Sequence, residues 1–356
     1  MGPRLPPSWP LDGSGPTVDC REMKPRTGRP VVKITDVAAM AGVAPMTVSR
    51  VLNAPERVSA ETAERVRAAI ETLGYVPNLI AGGLSSRRSR MIAAVVPTIA
   101  SQLFADPIQA FTDTLERAGY QVLLALSGYG SHDEDALLRQ ILSRRPDGLL
   151  LTGAHRSEAA RRLLTDARVP VVEIWDTAEE PTDMLVGFDH REVGAAIATH
   201  FLRHGHTDMA VVGARDVRAM ARRQGFVETV EAGGGRIVAE HEVPAPANIA
   251  NSRAAARTLF ETMEGPVAVC CSSDNVAFGV VTEARLRGLR MPEDVAVCGF
   301  GDIELSRESA PPFTTVSVDG MGIGRTAAEF LLARLRGDDS ARRVHIPFRI
   351  VARGTE

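Results

Sequence analysis

The sequence predicts two unlike parts: a small all-α helix-turn-helix module near the amino terminus, and a larger α/β body made of two doubly wound lobes. Three observations lead there. Ile34 to Asn53, ITDVAAMAGVAPMTVSRVLN, reads as two short helices around a glycine-containing turn. Beyond residue 91, strand-like apolar runs alternate with helix-length amphipathic runs, the pattern of parallel sheets covered by helices on both faces. The charge is also divided. Lys24 to Arg90 holds 11 Lys and Arg against 5 Asp and Glu, a net of +6, so the remainder of this −3 chain carries −9. A basic module on an acidic body suits nucleic-acid binding; a solvated charged face is the plainer alternative.

The 356 residues are enough for two or three compact units, and a 44% hydrophobic content is ordinary for a soluble globular chain. No apolar run reaches the ~18 residues of a membrane span. Residues 1–30 are rich in proline and glycine, lack the apolar core of a signal peptide, and read as a disordered tail. Within them Met23 opens a basic lead, MKPRTGRPVVK, and is a natural start. The four cysteines have no metal-ligand spacing. Cys270 and Cys271 lie in an apolar run, which predicts buried free thiols in a reducing cytoplasm, with no metal and no cofactor.

In the opening stretch, Val37, Ala38 and Ala41 form one apolar face, and Val48, Val51 and Leu52 form a second. Gly42 supplies the left-handed backbone of the turn. The second helix then presents Pro45, Met46, Thr47, Ser49, Arg50 and Asn53. Such a surface suits a helix in the major groove: arginine reads guanine edges, hydroxyls hold phosphates, and a long apolar chain packs on thymine methyls. An ordinary amphipathic hairpin is the alternative. Ser59 is a good N-cap for a third helix, with Val66, Ala69, Ile70 and Leu73 on one face and Gly74 at its end. Asn78 then opens a short segment with Ile80, Ala81 and Leu84 on its apolar side. Gly82-Gly83 remove on the order of 2 kcal/mol of helix propensity relative to alanine, so this segment is either a plain linker or a helix that forms only on DNA. In the second case Leu84 would be a wedge for the minor groove.

In the body, the runs in order are Ile92–Val96, Phe111–Ala118, Val122–Leu126, Asp135–Leu142, Gly148–Leu151, Ser157–Ala167, Val169–Ile174 and Val186–Phe188. The alternation then resumes with Ala195–His204, Met209–Val212, Arg222–Ala232, Ile237–His241, Arg253–Glu264, Ala268–Cys271, Ala277–Arg287 and Val295–Phe300. Comparable sets before and after residue 190 predict two similar lobes facing one another. Ligands of such sheets sit beyond the carboxyl ends of the strands, in a cleft that a hinge closes. The chain carries no phosphate-cradling loop, no dinucleotide fingerprint and no paired acid and base, so an enzyme is not expected.

These residues resemble the lactose-repressor (LacI/GalR-type) transcription factors from about residue 31 onward. The likeness rests on TDVAAMAGVAPMTVSRVLN, VSAETAERVRAAIETLGYVPN, VGFDHREVGAAIATHFLRHGH, SSDNVAFGVV and PEDVAVCGFGDIELS followed by PPFTTV. The resemblance implies a helix-turn-helix domain over 31–77, a hinge helix over 78–90, and a two-lobed, periplasmic-binding-protein-like effector and dimerisation domain over 91–356. It also implies a homodimer on a double-stranded, palindromic DNA operator, controlled by a small effector. By position it implies that Pro45, Met46 and Arg50 read bases, that Thr35, Thr47, Ser49 and Asn53 hold phosphates, and that Asn78, Ala81 and Leu84 belong to the hinge helix. Phe104, Trp175, Asp176, Arg218, Arg222 and Asp274 then line the effector pocket. His190 departs from the usual Asn after Asp189, and Ser272-Ser273 from the usual Asn before Asp274.

Within the family the flavour is that of gluconate (sugar-acid) repressors, carried by APMTVSR, FADPIQAFTDTLERAGYQVLLALSGYG, VPVVEIWDT and GARDVR. Arg218 and Arg222, four residues apart, would grip a carboxylate if their segment is helical, with Asp274 on hydroxyls. A solvated edge position is the plainer reading of each arginine. Sugar- or purine-responsive repressors of the same family, a solute-binding protein and an enzyme are the alternatives. No heptad run follows HIPFRIVARGTE, so a dimer is expected without an added tetramerisation helix.

Overall fold

The computed structural model describes residues 32–76, 89–129, 134–154, 156–340 and 342–356. The amino-terminal tail and the hinge residues Asn78, Ala81, Gly82, Gly83 and Leu84 lie outside the described residues. The chain divides into two compact units between Arg87 and Arg88.

In the first unit, α1 (Ile34–Ala41), α2 (Pro45–Asn53) and α3 (Ala60–Leu73) enclose a small core of Val37, Ala38, Ala41, Val48, Val51, Ala63, Val66 and Ala69. Asp36 returns to the start of α1, accepting from the Lys33 amide at 2.7 Å. Gly42 ends the helix at φ 64°, the left-handed conformation that lets the chain turn at once into α2. Pro45 occupies the first turn of α2, where its missing N–H removes no helical bond and its fixed φ starts the helix. Ser59 caps α3 through the Thr62 amide, and Gly74 closes it at φ 63°. One expected core residue differs. Val48 and Val51 fill the contact, which turns Leu52 outward to 37% exposure.

The second unit holds two six-stranded sheets. The first lobe contains β1 (Met91–Val96), α4 (Gln102–Arg117), β2 (Gln121–Leu126), α5 (Glu134–Ser143), β3 (Gly148–Thr152), α6 (Glu158–Ala167), β4 (Val171–Ile174) and β5 (Met184–Gly187). The chain then passes into the second lobe: α7 (His190–Arg203), β6 (Asp208–Ala214), α8 (Val217–Ala232), β7 (Arg236–Val243), α9 (Ile249–Thr262), β8 (Val267–Cys271), α10 (Asp274–Leu286), β9 (Val295–Phe300), α11 (Glu304–Glu308) and β10 (Thr314–Val318). It returns with α12 (Gly320–Leu335), which packs on α4, and with β11 (Arg343–His345), which joins β5. It crosses once more to end in β12 (Phe348–Val351). The sheet orders are β11-β5-β4-β3-β1-β2 and β12-β10-β9-β8-β6-β7, parallel throughout except for β12, which runs antiparallel to β10.

The lobes are therefore not two consecutive halves of sequence. Three passages join them, near residues 188–189, 319 and 346–347, and the elements after Phe300 that complete both sheets are absent from the sequence-based assignment. Most helices there also begin earlier than their first apolar residue suggests. Asp189, Asp216, Asn248 and Ser273 cap α7, α8, α9 and α10, each accepting hydrogen bonds from the first turn. α4 starts nine residues before Phe111 and runs through Pro107.

Alternate strand residues feed different cores. Ile92 and Ala94 of β1 face a large apolar cluster that spans both lobes through Phe104, Trp175, Phe188 and Phe300, whereas Ala93 and Val95 face the outer helices α5 and α6. In the second lobe Ala210 and Val212 turn outward toward Leu259, Phe260 and Val280. α7 and α8 cross at glycines: a Cβ on Gly194 would collide with the Arg222 carbonyl, and one on Gly225 with that of Arg191. This close approach places the Arg222 turn of α8 beside the start of α7. Cys270, Cys271 and Cys298 are buried free thiols, with burial the largest influence raising each pKa.

Asp274 is a brace at the start of α10. Its carboxylate accepts from the Ile303 amide at 2.9 Å and from the Thr315 hydroxyl at 2.5 Å, joining α10 to the turn after β9 and to β10. It is 1% exposed, and burial outweighs these bonds to push its pKa up to about 6. The raised value means that the folded state holds this proton more tightly than the unfolded chain. Its contribution to stability is present below the ordinary Asp range and is lost as pH rises through about 6. Asp274→Asn preserves the shape and cannot titrate. Urea unfolding between pH 4 and pH 7 should show wild type losing about 3 kcal/mol relative to the variant as pH rises. A parallel pH dependence in the two proteins would contradict the assignment.

Candidate ligand cleft and nucleic-acid interface

A cavity of about 380 Å³ opens where the carboxyl ends of β1, β4, β6, β8 and β9 converge. That size is within the ~300–1,000 Å³ of small-molecule sites. Its wall includes Thr98 and Ser101 after β1, Trp175 after β4, Asp216 and Arg218 after β6, Ser272 and Asn275 after β8, and Phe300 at the end of β9. Trp175 adopts φ 69°, a conformation that costs a non-glycine residue about 1–3 kcal/mol. Its ring packs edge-on against Phe104 at 6.1 Å and Phe188 at 5.5 Å, while its buried indole nitrogen has no hydrogen-bond partner among the described residues.

The polar centre of the cleft is a chain of three hydrogen bonds. Arg222 donates through Nη2 to the Ser272 carbonyl at 2.8 Å and through Nη1 to His190 Nδ1 at 2.9 Å. A guanidinium can only donate, so Nδ1 accepts and the imidazole proton sits on Nε2. Nε2 then donates to the Trp175 carbonyl at 2.9 Å. The Arg222 guanidinium also lies 4.1 Å from the centre of the Phe300 ring, a cation–π contact of a buried arginine. Burial lowers the Arg222 pKa to about 10, which leaves it charged at neutral pH. Arg218, one turn earlier on α8, is half-buried with its guanidinium 5.4 Å from the Phe104 ring centre. Tyr129 shares the wall, and burial raises its phenol to about 12, so it stays a neutral donor.

Of the six residues expected in the pocket, the cleft brings together Phe104, Trp175, Arg218 and Arg222. Asp176 and Asp274 are not on its wall. Asp176 is 7% exposed and accepts from the Thr177 amide at 2.9 Å; Asp274 has turned beneath the floor into its bracing role, and its neighbour Asn275 takes the surface position. Sequence reasoning did not assign Tyr129, His190, Asp216, Asn248, Ser272, Ser273, Asn275 or Phe300 to this wall. A usable signal was present for Asp216, Asn248 and Ser273: each is the polar cap that follows a strand and opens a helix, and such caps sit at the strand ends where the cleft forms.

On the first unit, α2 presents Pro45, Met46, Arg50 and Asn53 as exposed residues, with Met46 at 63% exposure despite its apolar side chain. Thr35 at the start of α1 is also exposed, while Thr47 and Ser49 are half-buried. Asn53 donates to the Ser49 carbonyl at 3.0 Å, so that donor is already engaged within the helix. The surface is polar and short-chained apart from Met46 and Arg50, which protrude.

Residues 33–78 match the model of bacterial regulatory proteins of the lacI family, and residues 198–355 match a periplasmic binding protein-like domain. The transcriptional regulator GntR of Pseudomonas aeruginosa is 35% identical over 315 residues, covering 88% of this chain and 91% of that protein. GntR of Escherichia coli is 33% identical over 314 residues, covering 87% and 93%. A LacI-family regulator from Silicibacter pomeroyi superposes with a TM-score of 0.86 at 31% identity, covering 91% of this chain and 99% of that one. The lac repressor dimer bound to operator and the anti-inducer ONPF gives 0.78 at 25% identity over 91% and 98%. Identity at this level, sustained through both compact units in the same order, reflects common descent as well as a shared fold, and the chain belongs to the LacI family of transcriptional repressors, with a DNA-binding and an effector domain.

Proposed function

We propose that this repressor answers to gluconate or a closely related sugar acid, binds a palindromic operator as a homodimer, and releases it when the ligand enters the cleft. The observation that carries the ligand class is the convergence of Arg218 and Arg222 from one face of α8 on a single cavity walled by Phe104, Tyr129, Trp175 and Phe300. Two cations and one carboxylate, the cap Asp216, leave the wall with a net positive field suited to an anion. Arg222 already spends two donors on Ser272 and His190, so it supplies field and shape, and Arg218 is the direct partner of the ligand carboxylate. The Trp175 indole N–H and the Tyr129 hydroxyl are donors for the ligand's hydroxyls, while the ring faces cover its carbon chain. The GntR relatives support the same ligand class.

On the DNA side, Pro45, Met46 and Arg50 read bases, with Thr35, Thr47, Ser49 and Asn53 on phosphates. The coupling segment lies in residues 78–90, where Asn78, Ala81 and Leu84 form the hinge. A second copy of the chain fits the exposed apolar residues of the edge strands: Leu123, Leu124 and Leu126 on β2, and Val238 on β7. Uncovered apolar edges of this kind invite association.

Calorimetry with gluconate, glucose and hypoxanthine tests the ligand class. Gluconate should bind, glucose, which lacks the carboxylate, should not compete, and Arg218→Ala should weaken gluconate by about 1.5–3 kcal/mol, roughly ten- to a hundredfold. Binding of hypoxanthine in place of gluconate would instead make this a purine-responsive repressor. For the reading helix, Arg50→Ala should weaken operator binding by about 1–3 kcal/mol and relax preference at one base pair of each half-site. Unchanged footprints on the DNA upstream of the gene would remove Arg50 from the base-reading set.

A further inference from the structure

Away from the cleft, the end of α7 carries a second group of chemistry-bearing side chains. His200 and His204 are spaced one helical turn apart as H-x-x-x-H, with ring centres 4.5 Å from each other, and Glu356 approaches them from the end of the chain. One ligand atom from each residue lies within 4.8 Å of the other two. The ring of His204 is oriented as a metal-binding imidazole requires. Its Nδ1 is 2.9 Å from the His200 carbonyl, which only accepts, so Nδ1 carries the proton and Nε2 keeps its lone pair. His200 Nε2 is buried without a hydrogen-bond partner among the described residues, an unusual condition for a polar atom that another group would satisfy.

We propose that His200, His204 and Glu356 form a binding site for a divalent transition metal of the zinc class. Two imidazoles and one carboxylate match the three-ligand sets that leave a fourth position open, and imidazole selects zinc, nickel, copper or cobalt over magnesium and calcium. The Glu356 carboxylate is held in place by the Thr314 hydroxyl and the Gly354 amide, which both donate to its Oε2. Tetrahedral zinc holds its ligand atoms about 3.3 Å apart, so binding draws the group inward by rotation of the exposed His204. Arg203 and Arg349 border the same hollow as His200, and their positive charge opposes the cation and weakens its binding. The metal would tie the end of α7 to the last residues of the chain, both parts of the second lobe.

Zinc titration of the untagged full-length protein by calorimetry, after removal of metal with a chelator, tests the site. One zinc per chain should bind. His204→Gln and Glu356→Gln should each weaken it by at least about tenfold, whereas His345→Gln, at an exposed histidine elsewhere, should leave it unchanged. Cobalt in place of zinc should give the visible absorption of a four-coordinate ion, lost in His204→Gln. Absence of saturable zinc binding up to about 100 μM, equal binding of magnesium, or unchanged affinity in His204→Gln would each overturn the proposal.

Discussion

The second unit depends on the buried connection that runs from the Ser272 carbonyl through Arg222 and His190 to the Trp175 carbonyl. It joins the strand end of one lobe to that of the other, since Trp175 follows β4 and Ser272 follows β8. A charged guanidinium taken out of water needs partners, and here a carbonyl and an imidazole nitrogen accept two of its donors while the face of Phe300 offsets its charge. The glycine crossing of α7 and α8 makes the arrangement reachable, because any side chain at Gly194 or Gly225 would hold His190 and Arg222 apart. The conformation of Trp175 belongs to the same constraint: the chain turns left-handed there so that the ring enters the cleft while the carbonyl stays available to His190.

In the proposed mechanism this connection is the ligand's route to the lobes. An anion that recruits Arg218 would alter the field around Arg222, which reaches the first lobe only through His190 and its bond to the Trp175 carbonyl, so a change in the lobe angle would change the His190 to Trp175 bond. Small displacements at such a joint are amplified because it has discrete bonded states rather than a soft continuum. A neutral ligand of the same size would fill the volume without engaging that charge. The aromatic wall of Phe104, Trp175 and Phe300 belongs to the apolar cluster that spans both lobes.

Much of this was legible in the sequence. The core of the small unit follows the apolar spacing of Val37, Ala41, Val48 and Val51, and Gly42 and Gly74 stand where left-handed turns require them. The alternation of apolar runs located most strands of both sheets to within two residues. What stayed hidden has physical reasons. Polar caps, not apolar residues, open the cleft helices, so periodicity placed their starts too late. β11 and β12 are short, half-exposed edge strands whose membership in different sheets depends on long-range pairing. The arginines and aromatics expected from family position do line the cleft, whereas Asp274 lies off its wall, because nothing local distinguishes a carboxylate that faces a cavity from one that accepts from Ile303 and Thr315. His190 stood out only as a departure from asparagine, and its role appears once α8 brings Arg222 to it.

The central claim is that the state of the cleft controls DNA binding through this joint. The most direct measurement is fluorescence anisotropy of the full-length protein on DNA from upstream of its own gene, titrated with gluconate, for wild type and for His190→Ala. Ligand should weaken wild-type binding by about 5- to 150-fold, the range of ordinary allosteric coupling. His190→Ala should bind DNA but lose most of that response. A ligand that binds the cleft without changing DNA affinity, or a His190→Ala protein that responds as wild type does, would contradict the account.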